Sequence, residues 1–240
     1  MRTLVIGDIH GAIKALTQVL ERADIQPTDH LIFLGDYADG WSQTPEVLDF
    51  LISYQHQQRC LFLRGNHDAL CYDFLQGKNM DTLWRLHGGK ATEKAYQNVT
   101  ETRRQAHLDF LASLQNYYLD AQNRLFLHAG FTNLRGIAYE HFPEMYYWDR
   151  TLWELAQSST LPPTDPHYPN RLKLYTHIYI GHTPTTRLGM DKPLSFNGVT
   201  NVDTGAAFKG RITIMDIDTL QYWQSDPVYI LYPDEAGRNQ

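Results

Sequence analysis

Leu63-Arg64-Gly65-Asn66-His67-Asp68 is the stretch from which the fold of this chain can be read. It closes an apolar run beginning at Cys60, which has the length and composition of a buried strand, and Gly65 breaks that run. Just past the break stand an amide, an imidazole and a carboxylate. Ligands of open α/β sheets bind beyond the carboxyl ends of strands. These polar groups therefore sit where chemistry is expected.

Four other strands end in the same kind of group. Thr3-Leu4-Val5-Ile6 is closed by Gly7-Asp8-Ile9-His10-Gly11, and His30-Leu31-Ile32-Phe33-Leu34 by Gly35-Asp36-Tyr37-Ala38-Asp39-Gly40. Arg124-Leu125-Phe126-Leu127 runs into His128-Ala129-Gly130, and the strand from Tyr175 to Ile180 into Gly181-His182-Thr183. Between the first three strands lie two helical patterns. One covers 12–23, with Ile13, Leu16, Val19 and Leu20 on one face; the other runs from Pro45 to about Gln57, with Pro45 suited to its first turn. This alternation predicts parallel pairing with right-handed crossovers.

From about 69 to 122 the pattern is helical and more polar, as expected of a helical insertion lying over one end of the sheet. Residues 132–172 read as an irregular loop region carrying the aromatic cluster Tyr146-Tyr147-Trp148. Apolar runs at 198–202, 211–215 and 228–231 read as strands in short succession, which suggests antiparallel hairpins and a second mixed sheet. The expectation is an α/β (mixed α+β) fold, a sandwich of two mixed β-sheets flanked by helices, in a single domain over 1–240.

Composition narrows the function classes. With 240 residues, 42% of them hydrophobic, the chain can bury a full core. Its net charge is −6 and no block of like charge occurs, so neither a nucleic-acid coat nor a membrane-surface role has electrostatic support. Cys60 and Cys71 make no disulfide framework. Met1-Arg2-Thr3 leads straight into an apolar strand, too short for a signal peptide, and no apolar run approaches a membrane span of roughly 20 residues. A soluble, cytoplasmic protein is expected.

Taken together, Asp8, His10, Asp36, Asn66, His128 and His182 offer carboxylate, imidazole and amide ligands without thiolate. That mixture suits divalent ions such as Mn²⁺, Fe, Zn²⁺ or Ni²⁺ and argues against a structural cysteine site. Six ligands exceed the need of one open catalytic ion, so two ions are expected. Any one of these residues alone could cap a helix or satisfy a core polar group; five glycine-flanked sets at five strand ends favour a common site.

In this order, Gly-Asp-Ile-His-Gly, Gly-Asp-Tyr-x-Asp, Arg-Gly-Asn-His-Asp, His-Ala-Gly and Gly-His-Thr resemble the calcineurin-like metallophosphoesterases. The resemblance is closest to the bacterial and phage branch of serine/threonine phosphoprotein phosphatases, the branch that includes symmetrical diadenosine tetraphosphatases. Trp84, Gly88-Gly89 and Ala91-Thr92 also match the helical region of that branch. The resemblance implies that Asp8 and His10 hold a first metal, Asp36 bridges to a second, and Asn66, His128 and His182 complete the second site, with Mn²⁺ the first candidate for both. It implies hydrolysis of phosphomonoesters, phosphorylated proteins or peptides foremost, by attack of a metal-bridging hydroxide. His67 would be the general acid and Asp39 would orient it. Arg64 and Arg150 would bind the phosphate, as the planar fork of arginine suits. Hydrolysis of bis(5'-nucleosyl) tetraphosphates is the alternative, with a nucleotide then bound, and a non-catalytic phospho-binding scaffold is a third reading.

One departure stands out: the family's second motif has arginine after its last aspartate, and this chain has Gly40. Trp41, next to it, has two readings, stacking on a base or plain packing. Tyr146-Tyr147-Trp148 could be cleft wall or nucleotide platform. His177, inside its strand, reads as a packing residue, and Asp68 as a cap for the helix that follows.

Overall fold

The computed structural model describes residues 1–238. In chain order the first half comprises β1 (Thr3–Ile6), α1 (Ile13–Arg22), β2 (His30–Phe33), α2 (Thr44–Tyr54), β3 (Arg59–Phe62), α3 (Asn66–Leu75), α4 (Thr82–Trp84), α5 (Lys90–Ala95) and α6 (Glu101–Ser113). The second half comprises β4 (Tyr117–Leu119), β5 (Arg124–Leu127), α7 (Met145–Trp148), α8 (Thr151–Ser158), β6 (His177–Ile180), β7 (Leu194–Phe196), β8 (Val199–Asn201), β9 (Thr213–Asp216), β10 (Tyr222–Gln224) and α9 (Val228–Leu231).

Two five-stranded mixed sheets result, ordered β10-β9-β1-β2-β3 and β4-β5-β6-β8-β7. The pairs β1–β2 and β2–β3 are parallel, as the strand–helix alternation predicts, and so are β5–β6 and β6–β8. Alternate residues of each inner strand face two different cores. Leu4, Ile6, Leu31 and Phe33 pack under α1, α2 and α6, while Val5, Ile32 and Leu34 meet Phe126, Tyr179 and Val202 of the second sheet. Both faces of these strands are therefore apolar, which is why they read as continuous hydrophobic runs. The outer face of the second sheet is covered by α8 through Leu152, Trp153 and Ala156.

Three expectations are corrected. The late hairpin of β9 and β10 extends the first sheet, with β9 antiparallel to β1, and does not join the second. All four residues of β9 are buried, which requires an interior place in a sheet covered on both faces. Residues 228–231 form a helical turn, α9, instead of a strand. Pro227 precedes it, and only Val228 is buried while Ile230 is 56% exposed, a pattern that no sheet face would bury. The helical stretch after Asp68 also ends sooner than expected, at Ser113, and Tyr117–Leu119 becomes the edge strand β4. Within 132–172, α7 and α8 form two short helices.

Trp41 is packing. Its ring is fully buried, its Nε1 donates to the Ala206 carbonyl at 2.8 Å, and it lies 5.3 Å from the Tyr232 ring. Trp41→Ala should therefore lower stability by about 3–5 kcal/mol in urea denaturation. A loss below about 1 kcal/mol would mean that the indole is not part of the core.

Candidate metal centre and its cavity

The loops after β1, β2, β3, β5 and β6 converge on one carboxylate, that of Asp36. Its Oδ2 lies 3.5 Å from His10 Nε2 and 3.4 Å from His128 Nε2, and its Oδ1 accepts from the His67 amide at 2.9 Å. Asn66 Oδ1 lies 2.9 Å from His182 Nδ1 and 3.3 Å from His128 Nε2, and Asp8 Oδ2 lies 3.7 Å from His10 Nε2. Two overlapping groups result: His10, Asp36 and His67, and Asp36, His128 and His182, the ligand atoms of each within 4.8 Å of one another. All six candidate ligands expected from the sequence are thus brought together, and Asp36 stands in both groups.

Local backbone geometry explains the arrangement. Eight non-glycine residues among those described have positive φ, and four of them are His10, Asp36, Asp39 and His182. Each such conformation costs about 1–3 kcal/mol and persists only where its surroundings hold it. Asp68 does much of that holding. Its Oδ2 accepts from the Gly65 and Asp36 amides and its Oδ1 from the Tyr37 amide, each at 2.8 Å. Gly65, not Asp68, is the N-cap of α3; Asp68 is the third helical residue and reaches back, as acids at that position do, while also tying down the neighbouring loop. Gly65 must be glycine, because a Cβ there would collide with the amide and carboxylate of Asp36.

The electrostatics ask for cations. Burial pushes Asp8 up to about 7, with the attraction of His128 opposing, and burial followed by repulsion from Asp8 pushes Asp203 up to about 8. Burial disfavours a charged His128, yet Asp36 and Asp8 overcome it and raise the imidazole to about 10. Buried His182 Nε2 has no hydrogen-bond partner. Oxygen and imidazole donors, excess buried acid and an orphaned ring nitrogen together fit divalent ions.

Beside this centre, His67 Nδ1 is 2.7 Å from Asp39 Oδ2. The same carboxylate accepts from Trp84 Nε1 at 2.7 Å and from Thr92 Oγ1 at 2.6 Å. The helical segment over the sheet therefore fixes Asp39, which fixes His67. A cavity of about 460 Å³ opens from Asp36, Asn66, His67 and His182. Trp84, Trp148 and Phe208 wall it, and Arg150, Arg187 and Arg238 line it.

Of the two arginines expected at the phosphate, Arg150 lines the cavity and Arg64 does not. The Arg64 guanidinium donates to the Leu111 carbonyl at 3.1 Å, and it does not line the cavity. The unpaired carbonyls at the C-terminus of α6 attract it, as helix ends attract cations. Tyr146 belongs to the second core, while Trp148 is exposed and meets His182 edge-on at the cavity mouth. His177 bonds Thr200 Oγ1 at 2.7 Å, away from the cluster. Sequence reasoning missed Arg187 and Arg238, because lone arginines in loops carry no periodic or spacing signal.

A family model described as calcineurin-like phosphoesterase matches residues 1–207. The chain belongs to the calcineurin-like phosphoesterases. It is a metal-dependent phosphoric ester hydrolase of mixed α/β fold. The asymmetrical bis(5'-nucleosyl)-tetraphosphatase PrpE of Anoxybacillus flavithermus is 28% identical over 228 residues, 88% of each chain. Serine/threonine-protein phosphatase 1 of Salmonella typhimurium is 27% identical over 216 residues, covering 89% of this chain and 90% of its own. Among solved structures, the fold is shared with a metallophosphoesterase from Sphaerobacter thermophilus (TM-score 0.57, 18% identity, 94% of this chain and 87% of the other). It is shared too with a cold-active protein-tyrosine phosphatase of a Shewanella species (TM-score 0.60, 15% identity, 94% and 80%). Among the described residues no helix is long and apolar enough to cross a membrane.

Because Asp36 stands in both groups, whereas the imidazole facing Asp8 is that of His10 at 3.7 Å, calorimetric titration with Mn²⁺ should separate them. Asp36→Asn should weaken both binding events, and Asp8→Asn mainly one. Equal loss of both in Asp8→Asn would refute the shared-carboxylate arrangement.

Proposed function

We propose that this phosphoesterase acts on a substrate with several phosphates in a row, a dinucleoside polyphosphate, and on phosphoserine or phosphothreonine peptides as the second choice. The observation that carries this reading is the cationic lining: guanidinium groups from three separate segments, Arg150, Arg187 and Arg238, border one cavity. Among the described residues none of the three forms an ion pair with a carboxylate. One phosphate beside two divalent ions needs little further positive charge; a phosphate chain supplies anions for each arginine. The cavity's volume lies in the range of small-molecule sites, roughly 300–1,000 Å³, and Trp148 and Phe208 offer it aromatic faces. This reverses the order of substrates expected from the sequence. The relative named as a serine/threonine phosphatase keeps the peptide reading in play.

In this proposal Asp8, His10 and Asp36 would hold one divalent ion, and Asp36, Asn66, His128 and His182 the other. Such ions, when bound, polarise the phosphoryl group and make a bound water acidic. The protein's own residues do the rest. His67 gives its Nε2 proton to the leaving oxygen, with its Nδ1 held by Asp39 and the tautomer thereby set. Trp84 and Thr92 keep Asp39 from turning away. Arg150 and Arg187 take the phosphate oxygens, and Trp84, Trp148 and Phe208 supply apolar wall.

A side-by-side panel with Mn²⁺ decides the substrate class: kcat/KM for diadenosine tetraphosphate should exceed that for a phosphothreonine peptide and for an aryl phosphate. A peptide preferred by tenfold or more would overturn the order. His67→Asn should lower kcat by about 10²–10⁴-fold while Mn²⁺ stoichiometry, measured by elemental analysis, stays at wild-type level. Loss of metal would make His67 a ligand, a role its place in the first group of donors permits.

A further inference from the structure

We propose that Arg238, near the C-terminal end of the chain, is a substrate phosphate-binding residue of this cavity. The inference rests on the multi-phosphate reading of the site and adds to it a residue about 200 positions away from the second motif loop.

The segment that carries Arg238 is anchored against that loop. Glu235 accepts from the Ser42 amide at 2.9 Å and the Ser42 hydroxyl at 2.6 Å, and the Arg238 amide donates to the Ala207 carbonyl at 2.9 Å. Gly237, at φ +57°, lies so close to Trp41 that a Cβ would stand 2.7 Å from the indole. These contacts fix where the Arg238 side chain starts. Its stem then passes beside two glycines, Gly40 and Gly88. Arg238 Cγ is 3.8 Å from an ideal Cβ on Gly40 and 3.2 Å from one on Gly88. Gly40 has φ +92° and its Cβ would meet His10 at 3.2 Å, so this backbone strongly disfavours a side chain there. At Gly88 a Cβ would press on that stem, and at Gly40 it would be in ordinary contact with it.

Arg238 lines the cavity and is half-buried, with its guanidinium carbon 5.1 Å from the centroid of the Phe208 ring. No carboxylate among the described residues pairs with it. A structural arginine of this kind ordinarily finds an acid or backbone carbonyls, as Arg2 does with Asp29 and the Ala23 and Asp24 carbonyls. Arg238 has an aromatic face behind it and an open, cationic cavity in front. Burial, then the charges of Arg187 and Arg238, hold the Arg150 guanidinium below its ordinary pKa, so the three cations oppose one another. An anion between them relieves that repulsion. A terminal or bridging phosphate is the ligand whose oxygens match the fork.

The test uses the full chain loaded with Mn²⁺ and freed of excess ion, carrying His67→Asn so that the probe is not consumed. Sodium tripolyphosphate is titrated by calorimetry. Arg238→Gln, which keeps much of the stem and removes the charge, should weaken binding by about tenfold or more, the scale of a charge-assisted hydrogen bond. Arg238→Lys should recover part of the loss. Binding in Arg238→Gln within twofold of the parent, with an unchanged melting temperature, would overturn the proposal. Should the glutamine variant melt early, phenylglyoxal labelling of the parent read by mass spectrometry decides: tripolyphosphate must protect Arg238, and unprotected labelling overturns the assignment. Turnover of diadenosine tetraphosphate by the wild-type chain is measured separately. Binding through Arg238 without that turnover would sink the substrate reading and leave this residue's role standing.

Discussion

Everything at this site depends on the Asp36 carboxylate, a buried acid in a left-handed turn that no apolar core would tolerate alone. One oxygen reaches toward His10 and His128, which lie on different sheets, and the other receives the His67 amide. An unpaired buried carboxylate is strongly disfavoured. Here it is shared among two imidazoles and a helix N-terminus, and burial of Asp8 and Asp203 nearby raises the demand for positive charge further. The fold and the chemistry are thus coupled: what neutralises Asp36 also holds the two sheets together at their carboxyl ends.

The strain of that turn is offset by Asp68, whose carboxylate collects amides from both the 36–37 loop and Gly65. Hydrogen bonds to charged groups contribute roughly 1.5–3 kcal/mol each. That is the same magnitude as the cost of the left-handed residues they stabilise. The residue immediately after the proposed proton donor therefore takes no part in the chemistry and still sets its geometry. A second tier, Trp84 and Thr92 on Asp39, extends the same device to His67 through the helical cover over the sheet.

How much of this could be read from the sequence follows from where each signal is local. Strands β1, β2 and β3, the helices between them and all six candidate ligands are written in short apolar runs that end at glycine, so spacing along the chain was enough. The late strand at 211–215 is expected in a second sheet and pairs instead with β1, because sheet membership depends on which edge is open and no residue of Thr213–Asp216 records that. Val228–Leu231 is apolar and β-branched in part, yet Pro227 and the exposure of Ile230 make it a helical turn. Arg64 was misplaced for a related reason: the carbonyls that hold it belong to α6, nearly fifty residues on.

The arginines divide in the same way. Arg150 could be named from the family resemblance, while Arg187 and Arg238 gain meaning only once the chain brings them to the cavity. A catalytic centre must place several ligands within a few ångströms, and short loops at parallel strand ends do that with local sequence. Substrate selection asks less precision, only charge and shape at the rim, so it can be assembled from segments that share nothing but their destination. Gly40 is where the two kinds of information meet. Its missing side chain reads as a loss along the sequence, and in three dimensions the stem of a distant arginine lies beside it, on the way to the cavity.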